Sequence, residues 1–192
     1  MSRLILLSIF CYVIGCNNKK NEDENNSGYF PVLSFIESQV AHVDTSLYAI
    51  IKVVKTGESS DTQYLKRENF KKVAHHFLNI PDITKGKLAD KYVELKMYDE
   101  SLAQVILNYT PKNADAEIQR QEVLIKPNPM RDVVTTIYID QLQKFKDSTV
   151  LKKMLWRVNK RFKVVSIIQK ENQPEKIITE EVIWNDFLSD EQ

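Results

Sequence analysis

The chain has 192 residues, 27 basic and 26 acidic, a hydrophobic share of 43% and a formal charge of +1. That balance gives no reason to expect a nucleic acid or an anionic membrane face as partner, and the apolar share suffices for the core of one domain. Its four glycines, Gly15, Gly28, Gly57 and Gly86, are scattered, which excludes the clustered-glycine phosphate loops and the G-x-S-x-G nucleophile elbow.

One basic residue, Arg3, precedes an apolar run over residues 4–14. The run is about half the ~20 residues of a membrane-spanning helix and has the charged start and small final residue of an export signal. It ends in Val13-Ile14-Gly15-Cys16, which resembles the lipobox of bacterial lipoproteins: aliphatic residue, tolerant position, small residue, cysteine. The resemblance implies that the Cys16 thiol receives a diacylglycerol, that residues 1–15 are removed as a signal peptide, and that the new amine is acylated. Several acyl chains make a stable anchor where one is marginal. Removing Arg3 leaves 26 basic and 26 acidic residues. Cys11 leaves with the signal and Cys16 is acylated, so the mature body has no thiol for a disulfide or a Cys-based metal site.

Residues 17–28, NNKKNEDENNSG, are polar and mixed in charge. They cannot bury enough surface to offset the entropy of ordering and are expected to form a tether of roughly 20 Å r.m.s. span. Asn17 follows Cys16 where inner-membrane lipoproteins of some bacteria carry aspartate. The resemblance therefore implies an outer-membrane anchor facing the periplasm.

The expected domain occupies residues 30–192. Leu33, Ile36, Val40 and Val43 recur at helical spacing, so a helix is expected over 31–43. A β-branched run over 47–55, turn residues 56–59 and a return arm over 61–66 read as a hairpin. A second helix is expected over 68–78, with Phe70, Val73, Ala74 and Phe77 on one side and a stop near Pro81. Alternation then marks strands: Val93, Leu95 and Met97; Val105, Leu107 and Tyr109; residues 118–126; and Val133, Thr135, Ile137 and Ile139. Residues 149–158 suit a helix capped by Ser148 or a strand carrying Met154, Trp156 and Val158 on one face. The hairpin reading is favoured because the β-branched run over 162–169 needs a neighbour. A last strand is expected over 176–184. The predicted fold is α+β: helix, hairpin, helix, then an antiparallel meander of about six strands packed on the helices.

No catalytic grouping is recognisable. His75 and His76 are adjacent, about 100° apart on a helix, and so do not chelate as i, i+4 histidines do; His42 sits near a helix end. Nothing local builds a Ser-His-Asp triad from these imidazoles. Tyr138, Trp156, Phe162 and Trp184 are candidate ligand-groove aromatics, although aromatic strand residues more often form core or cross-strand packing. The basic run of Lys152, Lys153, Arg157, Lys160, Arg161 and Lys163 reads as a solvated strand face, with anionic headgroups or polymer as the alternative partner. Glu94, Asp99, Glu122 and Asp140 lie on or near strands, and nothing in the sequence pairs any two as acid and base.

The segments 117–123 and 154–160 are loosely similar to small lipoproteins of Bacteroidota-type bacteria, which implies an envelope setting and no particular activity. No cofactor or metal is expected. The leading expectation is a non-enzymatic binding or scaffold module, held to the membrane through Cys16 and meeting an envelope protein or lipid. The alternative is a carrier or sensor of an apolar ligand in a cavity of a curved sheet. A hydrolase without a familiar motif is the third.

Overall fold

The computed structural model of the protein describes residues 28–186. The expected signal, Val13, Ile14, Gly15 and Cys16, and most of the expected tether lie outside the described residues.

The first helix, α1 (Val32–Thr45), buries Val32, Ile36, Val40 and Val43. The buried stripe begins one residue earlier than expected, on Val32, and Leu33 packs only at its margin. Pro31 stands at the N-cap position and leaves its side unbonded. The hairpin follows as β1 (Ile50–Thr56) and β2 (Ser59–Leu65). Gly57, with φ of 57°, takes the left-handed conformation in its two-residue turn, where a side chain would cost strain.

The helix expected over 68–78 is broken into short pieces: a 3-10 turn (Arg67–Asn69), α2 (Phe70–Val73) and α3 (His75–Leu78). Ala74 interrupts them, with ψ of 2° rather than a helical value. Phe70, Ala74 and Phe77 still share the buried side, so the apolar spacing was informative while helix continuity was not. An unforeseen single turn, α4 (Gly86–Ala89), completes the helical part. The Asp82 carboxylate organises the approach to it, accepting from Thr84 N–H at 3.0 Å and Thr84 Oγ1 at 2.7 Å.

The remaining strands are β3 (Tyr92–Asp99), β4 (Gln104–Pro111), β5 (Ile118–Lys126), β6 (Val133–Lys144), β7 (Ser148–Arg157), β8 (Arg161–Lys170) and β9 (Lys176–Ile183). All belong to one nine-stranded open antiparallel sheet in the order β2-β1-β9-β8-β7-β6-β5-β4-β3. The α+β expectation with a six-strand meander is thus corrected to a mostly-β fold. The meander has one more strand, and the early hairpin belongs to the same sheet because β1 pairs with β9. A two-stranded hairpin is marginal alone, and β9 without β1 would present an unpaired edge; joining them gives the hairpin a third strand and moves the edge to the more polar β2. The helical alternative for 149–158 is not adopted: Met154 and Trp156 pair across to Val164 and Phe162.

All four helices lie on one face of the sheet. Ile137, Trp156, Phe162 and Val182 stand opposite one another in adjacent strands and are fully buried. They form one core with Ile36, Val40, Phe70, Phe77 and Trp184. The residues between them, such as Tyr138, Leu155, Lys163 and Glu181, are aligned in the same registers and point to the other face.

The described chain enters beside the β3 edge. Tyr109, itself fully buried, accepts the Phe30 backbone N–H at 3.0 Å and donates to Glu94 Oε1 at 2.8 Å. Burial is the main cause that holds its phenol well above the usual range. The Tyr29 ring lies tilted against that ring at 5.0 Å, and its hydroxyl donates to the Tyr92 carbonyl at 3.1 Å.

Candidate binding face of the sheet

The four expected groove aromatics divide between the two faces. Trp156, Phe162 and Trp184 are 0%, 0% and 1% exposed. Trp156 stacks on Phe162 at 5.4 Å, and Phe70 and Phe77 meet these rings edge-on, Phe70 against Trp184 and Phe77 against Trp156, both at 5.1 Å. These contacts make a packed aromatic core under the helices. Both indole N–H groups are buried without a partner, so ring packing alone carries their burial. Tyr138 stands on the opposite face, half-buried.

That opposite face is not covered by any described helix. At its centre Arg120 joins two carboxylates, with Nε 3.0 Å from Asp140 Oδ2 and Nη1 3.3 Å from Glu122 Oε1. Glu122 pairs across to Tyr138 and Asn108, and the Asn108 Oδ1 is buried without a partner. A shallow depression of about 260 Å³ opens here, lined by Arg120, Tyr138, Asp140, Lys153, Leu155 and Lys163. Of the four carboxylates singled out in the sequence, Glu122 and Asp140 are therefore brought together. The others are engaged separately: Glu94 by Tyr109, and Asp99 by Ser101 Oγ at 2.6 Å and Leu102 N–H at 3.0 Å. Those bonds hold the Asp99 carboxyl below the usual range.

Apolar side chains flank this charged centre on both sides. Leu95, Met97, Ile106 and Leu124 adjoin it on the β3 side; Leu151, Val165 and Ile167 continue it on the other. Val93, Leu95 and Met97 remain 49%, 53% and 44% exposed.

The basic run divides by strand alternation. Lys153, Arg157 and Lys163 point to the open face, and Lys152 to the helix-covered one, where desolvation lowers its pKa. Arg161 binds Glu181 at 3.4 Å and Asp186 at 3.0 Å, and Lys160 also reaches Asp186, at 3.4 Å. Two of the six residues of the run are thus ion-paired.

His75 and His76 lie closer than helical divergence predicts, their ring centroids 3.8 Å apart, although both belong to α3. His75 is exposed, its Nδ1 2.9 Å from the Lys72 carbonyl. His76 is half-buried with an unpartnered Nδ1. Desolvation first, then the charges of His75, Lys152 and Lys52, lower its pKa to about 4. Beside it Lys52 pairs with Glu180 at 2.7 Å. His42 lies in the last turn of α1, edge-on to Tyr48. Among the described residues, no three His, Cys, Asp or Glu side chains converge as a metal site, and no helix is long and apolar enough to cross a membrane.

Sequence reasoning missed Arg120 as the organiser of the open face. Strand alternation puts Arg120 and Glu122 on one side, which was a readable signal. Asp140 arrives from the next strand through a register that contains a bulge, which was not.

Compared with known proteins, the chain matches no family model, no curated protein and no solved structure.

Proposed function

We propose that this chain is a bacterial envelope lipoprotein, anchored through Cys16 to the periplasmic side of the outer membrane, that works by binding rather than by catalysis. The carrying observation is the asymmetry of the sheet. One face is filled by the aromatic core and helices, while the other offers an Arg120-centred charged cluster framed by half-exposed apolar side chains. A broad, shallow surface of mixed character suits a macromolecular partner, since apolar contact supplies affinity and fixed charges supply orientation. The partner class is another envelope component. The apolar-carrier alternative draws no support from Trp156, Phe162 and Trp184, whose rings pack on one another and on Phe70 and Phe77.

The test is site-specific photo-crosslinking in intact envelopes, with the photoreactive residue placed at Leu155 on the open face or at the exposed Lys71 of α2. Leu155 should give one recurrent adduct that Arg120→Glu removes. Equal, diffuse labelling from both positions would contradict the proposal. A stoichiometric apolar molecule extracted from the purified chain would favour the carrier instead. The anchor has a separate check. Cys16→Ser should abolish incorporation of labelled fatty acid and leave the precursor uncleaved, and persistent label would contradict it.

A further inference from the structure

The two edges of the sheet differ. At one end β2 reads SSDTQYL and is almost wholly polar. At the other, β3 reads YVELKMYD, an alternation of apolar and charged residues on an eight-residue strand. A long edge of this composition is a template for another strand.

The backbone groups β3 has free can be identified. Lys112 N–H donates to the Lys91 carbonyl at 2.8 Å, and Tyr92 stands opposite Pro111, which has no N–H. Hydrogen-bonded and non-bonded pairs alternate along an antiparallel ladder. The odd-numbered residues of β3 therefore bond β4, and the N–H and C=O groups of Glu94, Lys96 and Tyr98 point outward. Tyr92 follows the same rule, and its outward carbonyl is taken by the Tyr29 hydroxyl. Among the described residues, the open edge begins after Tyr92.

We propose that this edge pairs with β3 of a second copy of the chain, antiparallel, about a two-fold axis through Leu95 and normal to the sheet. Side chains opposite each other in an antiparallel pair share a face, so the axis must pass through a residue. With Leu95 on the axis, Glu94 of each copy stands opposite Lys96 of the other, in both directions. On the open face Leu95 meets Leu95, and Val93 meets Met97. Moving the axis one residue either way puts Glu94 against Glu94 or Lys96 against Lys96, which is destabilising. Charge thus selects one register of the three. Glu94 and Lys96 also carry the outward backbone groups, so each opposed pair exchanges two backbone hydrogen bonds. The exposed apolar residues Val93, Leu95 and Met97 are covered in the same step, and the open faces of the two copies become continuous.

The symmetry is also compatible with a shared membrane. An axis normal to the sheet leaves Tyr29 of both copies on the same side, about 20 Å apart from a rise of ~3.4 Å per residue. The pairing itself is read from β3 alone and stands whether or not Cys16 is acylated.

The test is disulfide trapping in the full-length protein, with cysteine introduced as Leu95→Cys. Non-bonded antiparallel pairs bring Cα atoms within about 4.5–5.5 Å, inside the range a disulfide spans. Mild oxidation should trap a dimer at least about tenfold faster than Thr62→Cys on the β2 edge. Lys96→Glu should weaken dimerisation of the otherwise unaltered chain about tenfold or more, measured by light scattering in detergent. Mixing the Lys96→Glu chain with a Glu94→Lys chain should restore it, because both opposed pairs are then of unlike charge. A monomeric wild-type chain would overturn the proposal, as would Leu95→Cys trapping no faster than the Thr62 control, or a mixture that fails to recover. A monomer whose Leu95→Cys thiol is protected from small reagents would mean that the chain's own N-terminal segment covers the edge.

Discussion

His76 is the titratable side chain whose surroundings give the clearest pH signature. Its pKa falls from the ordinary 6.5 to about 4 because burial and the cations His75, Lys152 and Lys52 disfavour the imidazolium. The unfolded chain therefore binds a proton between those pH values that the folded chain does not. The contribution is fully present above pH 6.5 and is lost as pH falls from about 6.5 to about 4. Urea-unfolding midpoints measured across that window should decline for the wild-type chain, and His76→Gln should decline less. Parallel curves would assign the acid sensitivity to other groups. The core makes a sharper demand on size: Trp156→Ala empties the centre of the aromatic cluster and should cost about 3–5 kcal/mol in the same assay.

Among the elements, β7 and β8 illustrate what periodicity decides and what it leaves open. Met154, Leu155 and Val158 fit a helix as well as Met154, Trp156 and Val158 fit a strand. The structure resolves the choice through pairing with β8 and a three-residue turn in which Asn159 has φ of 58°. Asparagine tolerates this left-handed conformation better than most residues. Asn159→Ala should therefore destabilise by roughly 1 kcal/mol and Asn159→Gly should be nearly neutral or stabilising, read as shifts in thermal midpoint. An unchanged midpoint in the alanine chain would show that the turn carries no strain. The strands and α1 were legible because their side-chain alternation or 3.6-residue spacing is local information. The break at Ala74 and the single turn at Gly86 were not, because their apolar spacing is the same as that of a continuous helix or too short to register. The pairing of β1 with β9 joins residues more than a hundred positions apart, and no local pattern announces it.

For the whole molecule, strand alternation gave both faces of most strands but not which face the helices would cover. That choice turned Trp156, Phe162 and Trp184 into core and left Tyr138, Arg120, Glu122 and Asp140 on the open side. The basic run likewise looked like one feature in sequence, and strand geometry distributed it between two faces and several ion pairs. The proposed function rests on a sheet that is solid on one side and available on the other, with the proposed Cys16 anchor to hold it near a membrane. Its central claim is that the open face is occupied in the native envelope. The most direct measurement is the rate of thiol labelling at Thr136→Cys, at the middle of that face, compared with Lys71→Cys on α2. In intact envelopes the Thr136 position should be labelled several-fold more slowly than in the purified chain, while the Lys71 position should be labelled equally in both. Equal rates at Thr136 in the two settings would contradict the account.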